Sequence, residues 1–153
     1  MDLPKYEKRL PKYVLTQSEA EAVLNRPNVE TDLGLRDRAI LETFYSTGMR
    51  RIELINLKVY DLDLERGTVM IRQGKGKKDR MLPIGERASI WFNKYITESR
   101  PEFVCEPDDG TLFLTAYSDA FTPDSLTQLV KNHVDAAKIG KRGACHLFRH
   151  TMA

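Results

Sequence analysis

A chain of 153 residues fits one domain of ordinary size, long enough to bury a core without disulfides or a structural metal. Apolar residues at 41% and charged residues at 30% exclude a disordered chain, and apolar runs no longer than three residues, as in Ala39-Ile40-Leu41, exclude a membrane span or a signal peptide. The net charge of +2, from 24 basic and 22 acidic residues, names no partner by itself.

Residues 1–12 carry Lys5, Lys8, Arg9 and Lys12 around Pro4 and Pro11 and read as a basic leader or linker, with residues 13–153 as the domain proper. Thr16 and Glu19 form a capping box opening a short helix that buries Ala20, Val23 and Leu24. Residues 25–34 read as a loop. A second helix is expected from Leu35 to Ser46, with Ile40, Leu41, Phe44 and Tyr45 inward, stopped by Gly48 as a left-handed C-cap. A third, short helix follows, with Ile52, Leu54, Ile55 and Leu57 inward.

The period then changes from helix to strand. Residues 68–72 and 80–84 alternate as strands around the turn residues 73–79, which predicts a β-hairpin. A helix resumes near Glu86, carries Ile90, Trp91, Tyr95 and Ile96, and stops at Pro101. The acidic stretch after it, ending in Asp108-Asp109-Gly110, reads as a surface loop, and Leu112-Phe113-Leu114 as a short strand or buried bridge. Thr122 and Pro123 open a helix with Leu126, Leu129, Val130, Val134 and Ala137 on one face, closed by Gly140. Residues 146–153 look like the start of another helix with no stop signal after it, so the expectation is a domain cut short at its C-terminus. The fold class is mainly α with a small antiparallel β-hairpin or sheet, an α+β domain.

Charge is unevenly distributed. Residues 72–80 hold five basic groups against Asp79, a local +4, and residues 138–150 hold four basic groups, no acid and two of the three histidines. These segments can converge on one polyanion or be separate solvated surfaces, and charge alone favours neither. The two cysteines, Cys105 and Cys145, lack disulfide or zinc spacing and read as buried or half-buried free thiols in a reducing cytoplasm.

Chemistry concentrates in three motifs. In Thr47-Gly48-Met49-Arg50-Arg51-Ile52-Glu53, two arginines open a helix, where the macrodipole disfavours cations unless an anion is bound there. The plain alternative pairs one arginine with an acid such as Glu53 and leaves the other solvated. At the hairpin tip, Lys75, Lys77, Lys78 and Arg80 around Gly74 and Gly76 can follow a nucleic-acid backbone, or simply guard a strand edge. In His146-Leu147-Phe148-Arg149-His150, His146 and Arg149 share a helical face, a proton carrier beside an anion clamp. His146 and His150 are also four apart, but no carboxylate or cysteine follows at ligand spacing, which argues against a metal. There is no glycine-rich phosphate loop and no nucleophile elbow.

In this order and on these elements, the three motifs resemble the catalytic domain of the tyrosine recombinase (phage integrase) family, from about Pro11 to Ala153. The resemblance implies a DNA strand-exchange enzyme that uses neither metal nor cofactor, acts on double-stranded DNA as a multimer, and works in the cytoplasm. It implies Arg50 and Arg149 as the arginines on the scissile phosphate, His146 as the proton acceptor and Lys75 as the proton donor to the leaving 5′-oxygen. Glu53 is implied as a supporting acid, and Arg51, Lys77, Lys78, Arg80, Lys141, Arg142 and His150 as further DNA contacts. The six tyrosines, Tyr6, Tyr13, Tyr45, Tyr60, Tyr95 and Tyr117, all precede the His-x-x-Arg motif, where the family's nucleophile follows it. The expectation is therefore a segment that holds a phosphate without cutting it. The alternatives are a non-catalytic DNA-binding module and a type IB topoisomerase-like enzyme.

Overall fold

The computed structural model describes residues 15–73, 76–141 and 143–151, the last three by backbone alone. The expectations for the leader, for Lys75 and Arg142, and for the side chains of Arg149 and His150 therefore lie outside the described residues.

Helix α1 (Gln17–Leu24) opens on the capping box: Thr16 Oγ1 accepts the Glu19 N–H at 3.1 Å and Glu19 Oε1 accepts the Thr16 N–H at 2.9 Å. Its Ala20, Val23 and Leu24 are fully buried. Helix α2 (Asp32–Thr47) starts before the expected Leu35, because the Thr31 hydroxyl caps the Gly34 N–H at 3.0 Å. That cap precedes a first turn too poor in apolar residues to show a helical period. Gly48 closes α2 in the left-handed conformation, φ 66°, where a side chain would be strained. Helix α3 (Arg51–Ile55) buries Leu54, but Ile52 is 48% exposed rather than inward. Two positions apart, Ile52 and Leu54 point to opposite sides of a helix, and the core takes Leu54.

Three antiparallel strands follow in the order β1 (Leu62–Asp63), β2 (Thr68–Ile71), β3 (Arg80–Pro83). Val69 pairs with Leu82 and Ile71 with Arg80, which turns Val69 and Ile71 into the core. β1 is too short to carry an alternation and is absent from the sequence reading.

Helix α4 (Glu86–Lys94) runs through a wide π-type turn, Tyr95–Ser99, into α5 (Arg100–Phe103), passing the expected stop at Pro101. The wide turn interrupts the α-helical ladder, and Pro101 then sits in a new first turn where its missing N–H is tolerated. The buried stripe is Ala88, Phe92, Tyr95 and Ser99, while Ile90 is 52% exposed. The acidic stretch is not merely solvated. The buried Arg100 donates to both Asp108 oxygens at 3.0 and 2.7 Å and to the Thr111 carbonyl, pinning the loop to the body of the protein. Leu112, Phe113 and Leu114 then run through the core as a buried connector, flanked by the bridges Lys58–Thr111 and Leu114–Ala120.

Helix α6 (Pro123–Ala137) begins at the Thr122 cap as expected, but it ends at Lys138 in the left-handed conformation, ahead of Gly140. Helix α7 (Cys145–Thr151) drives Leu147 and Phe148 fully into the core, where the Phe148 ring stacks on Phe44 with centroids 6.4 Å apart. α2 is the central element, with α1, α4, the π-type turn and α7 packed around it. Among the described residues, no helix is long and apolar enough to cross a membrane.

Candidate functional site

The C-terminal end of α2 fixes where Arg50 stands. Thr47 Oγ1 donates to the Thr43 carbonyl at 2.7 Å and accepts the Met49 N–H at 3.2 Å, the Gly48 N–H reaches the Phe44 carbonyl at 2.8 Å, and Met49 is buried. Arg50 follows in extended conformation as the N-cap of α3, with its backbone N–H on Glu53 Oε1 at 2.9 Å and its side chain exposed. A helix of five residues has little dipole, so the macrodipole argument from sequence carries little weight here. The placement of Arg50 rests on the Gly48 turn and the Glu53 carboxylate instead.

Arg50 and His146 line one cleft of about 340 Å³, together with Met49, Arg51, Thr127, Ala144 and Cys145. The chain reaches it from two directions: the α2–α3 corner supplies Arg50, and the first turn of α7 supplies His146. Because Leu147 and Phe148 anchor α7 in the core, His146 stays on its exposed side. Cys145 is buried beside it, and burial pushes its thiol up to about 11, against the pull of the Arg51 guanidinium. At neutral pH that thiol is protonated and is no nucleophile. Cys105, by contrast, is exposed, which corrects the expectation that both thiols are at least half-buried.

Several cations named from sequence as DNA contacts have partners within the fold. Arg51 Nη1 donates to Thr127 Oγ1 at 2.6 Å, tying α3 to α6 along the cleft wall. Arg80 forks onto Glu53, with Nη1 on Oε2 at 2.8 Å and Nη2 on Oε1 at 3.1 Å. Partial burial pushes the Glu53 carboxyl up, but the Arg80 fork and the Arg50 N–H outweigh it and hold the group below its ordinary value. Lys141 Nζ lies 2.6 Å from Glu19 Oε1, locking the approach to α7 onto the α1 capping box. Arg72, within the basic run of the hairpin, is bound to Asp61 and to the Asn56 carbonyl.

Among the described cations of the hairpin turn, Lys77 and Lys78 are exposed. Asp79, also exposed, closes the base of the hairpin turn, its Oδ1 accepting the Gln73 N–H at 3.0 Å. Sequence reasoning passed over Thr127 and Ala144 as cleft residues, and no local signal marks them. Tyr95, one of the six tyrosines, is fully buried, donating to the Leu112 carbonyl at 2.8 Å and accepting the Leu114 N–H at 3.1 Å, and burial pushes its hydroxyl up to about 12.

Comparison with known proteins identifies the family and the fold. The sequence profile of the Phage integrase family matches residues 13–153. Tyrosine recombinase XerC 2 of Ralstonia nicotianae is 44% identical over 153 residues, which is 100% of this chain and 44% of that protein. Tyrosine recombinase XerD of Pseudomonas aeruginosa is 36% identical over 153 residues, 51% of its own length. The chain thus spans about half the length of the curated relatives it matches. The crystal structure of XerA recombinase superposes with a TM-score of 0.80 at 28% identity, over 90% of this chain and 48% of that one. XerH site-specific recombinase, bound to its difH substrate before cleavage, shares the fold with a TM-score of 0.75 at 24% identity, over 99% of this chain and 43% of that one. On a profile that spans nearly the whole sequence and a fold shared with these recombinases, the chain belongs to the phage integrase family.

Proposed function

We propose that the cleft holds the scissile phosphate of duplex DNA in a tyrosine recombinase that cuts and rejoins strands through a 3′-phosphotyrosyl bond. The observation that carries this reading is the meeting of Arg50 and His146, from distant parts of the sequence, in one cleft. Arg50, joined by Arg149, neutralises the non-bridging oxygens, whose charge grows as the phosphorus becomes five-coordinate. A tyrosine hydroxyl, none of the chain's own six, forms the new bond to phosphorus and passes its proton to His146. The bond from phosphorus to the 5′-oxygen breaks, and Lys75 protonates the leaving oxygen. The bond energy stays in the phosphotyrosine, so rejoining to another 5′-hydroxyl needs no nucleotide.

In this reading residues 13–153 are catalytic-domain sequence and residues 1–12 its leader. The partner is double-stranded DNA in the cytoplasm, bound by a multimer of the whole enzyme, with no metal and no cofactor. The test is anisotropy of a labelled DNA duplex, run beside a nicked suicide substrate scored for covalent adduct on a denaturing gel. The chain is expected to bind duplex at low salt, to lose that binding steeply as salt rises, and to form no adduct. No binding at low salt, or an adduct formed by the chain itself, overturns the proposal.

A further inference from the structure

We infer that Gly143 is a positioning residue for His146, its bare Cα forming the surface against which the imidazole is aimed into the cleft. A methyl group at position 143 would stand 2.7 Å from His146 Nε2, 2.8 Å from Cε1 and 3.1 Å from Leu147 Cγ. Those separations lie inside van der Waals contact, so one neighbour must move. Leu147 cannot move cheaply, because its side chain is fully buried and the adjacent Phe148 is stacked on Phe44. The backbone of the turn is held as well, with the Leu147 N–H on the Ala144 carbonyl at 3.1 Å. The imidazole, the exposed far end of a side chain and the group nearest the added methyl, is therefore displaced away from residue 143 and out of its present pose in the cleft.

Gly143 has a second property, a φ of 135°, which would strain any L side chain whatever the space around it. Gly140, in the same connection, separates the two effects. Its φ is 77°, yet a Cβ there would meet nothing within 4 Å. Gly140→Ala therefore imposes backbone strain without touching the histidine, and Gly143→Ala imposes strain and contact together.

The inference rests on the reading of His146 as a group that faces a phosphodiester, and the experiment keeps the two apart. The imidazole nitrogens of the ¹⁵N-labelled chain are followed by long-range proton–nitrogen correlation, with a short DNA duplex as the probe. In the unsubstituted chain the His146 nitrogens should shift as duplex is added. In Gly143→Ala the response at matched duplex should fall roughly threefold or more, as a displacement of order 1 Å suffices to spoil such a contact. Gly140→Ala should keep the response. His133, whose Nε2 lies 2.9 Å from Asp37 Oδ2 away from the cleft, should be unchanged in both variants and reports an intact fold. A normal His146 response in Gly143→Ala overturns the inference, as does an equal loss in Gly140→Ala or a displaced His133 signal in Gly143→Ala. Should His146 of the unsubstituted chain ignore the duplex, the phosphodiester reading fails. The inference is then judged on the free chain, where Gly143→Ala alone must move the His146 resonances.

Discussion

Glu53 and Arg80 are joined side chain to side chain across the fold, two hydrogen bonds of 2.8 and 3.1 Å linking the start of β3 to α3. The same carboxylate takes the Arg50 backbone N–H at 2.9 Å. One acid thus sets the arm of the basic hairpin and the arginine of the cleft against each other. Its carboxylate thereby ties the start of β3 to the start of α3.

Removing that carboxylate should loosen both ends. Glu53→Ala is expected to lower stability by about 1–2 kcal/mol, kept modest because Arg80 is 40% exposed. The pH dependence follows from the lowered value of the Glu53 carboxyl. Its contribution is complete above the ordinary value of 4.5 and is lost as pH falls through the lower folded value. Urea midpoints measured from pH 7 down to pH 3 should converge for the two proteins in the acid limb. A constant gap across that range would show that the fork does not contribute through its charge.

Arg50 and Arg51 are neighbours in sequence with opposite expected phenotypes. Arg50 is exposed in the cleft, so Arg50→Ala should leave the melting temperature nearly unchanged and reduce the salt slope of duplex binding by about 1. Arg51 holds α6 through Thr127, so Arg51→Ala should cost about 0.5–1 kcal/mol of stability and change the salt slope little. Thermal melts and anisotropy titrations on both variants check the pair. A reversed pattern would assign the phosphate to the wrong arginine.

The helices of this fold were legible wherever a cap and an apolar stripe coincided, as at Thr16 with Ala20, Val23 and Leu24, and at Thr122 with Leu126, Val130 and Val134. They were misread where a helix is too short for one period to show, which put Ile52 on the wrong side. The motifs located Arg50 and His146 because local chain geometry places each of them. What a local pattern cannot show is the pairing of charges distant in sequence. Arg80 with Glu53, Lys141 with Glu19 and Arg100 with Asp108 each turn an apparent surface charge into a tie within the fold. The basic runs show in composition, whereas these partners within the fold do not.

The two thiols should separate cleanly in reactivity. Cys105 is exposed, whereas Cys145 is buried and its thiol is pushed up to about 11. Titration with an aromatic disulfide reagent at pH 8 should give one fast equivalent, abolished by Cys105→Ser, with the second released only on unfolding. Two fast equivalents would mean that the cleft wall beside His146 opens readily in the native state.

The hairpin lysines and Lys141 supply the last test, because their charges are alike and their surroundings differ. Lys77 and Lys78 are exposed, so replacing both with alanine should remove about two phosphate contacts and lower the salt slope by roughly 2. Stability should barely change, since exposed substitutions of this kind typically stay within about 0.5 kcal/mol. Lys141 and Glu19 form an ion pair at 2.6 Å with side chains only 16% and 21% exposed. Partial burial pushes the Glu19 carboxyl up, but Lys141 and the Thr16 N–H outweigh it and hold the group below 4.5. Lys141→Ala should therefore cost about 0.5–1 kcal/mol near neutral pH, and less as pH falls through the folded value of Glu19. Its salt slope should stay close to that of the unsubstituted chain. Duplex titrations between 50 and 200 mM salt, read beside urea midpoints for the same variants, decide the matter. If Lys141→Ala lowers the slope as much as a hairpin lysine does, Glu19 releases Lys141 to DNA, and the approach to α7 is part of the binding surface.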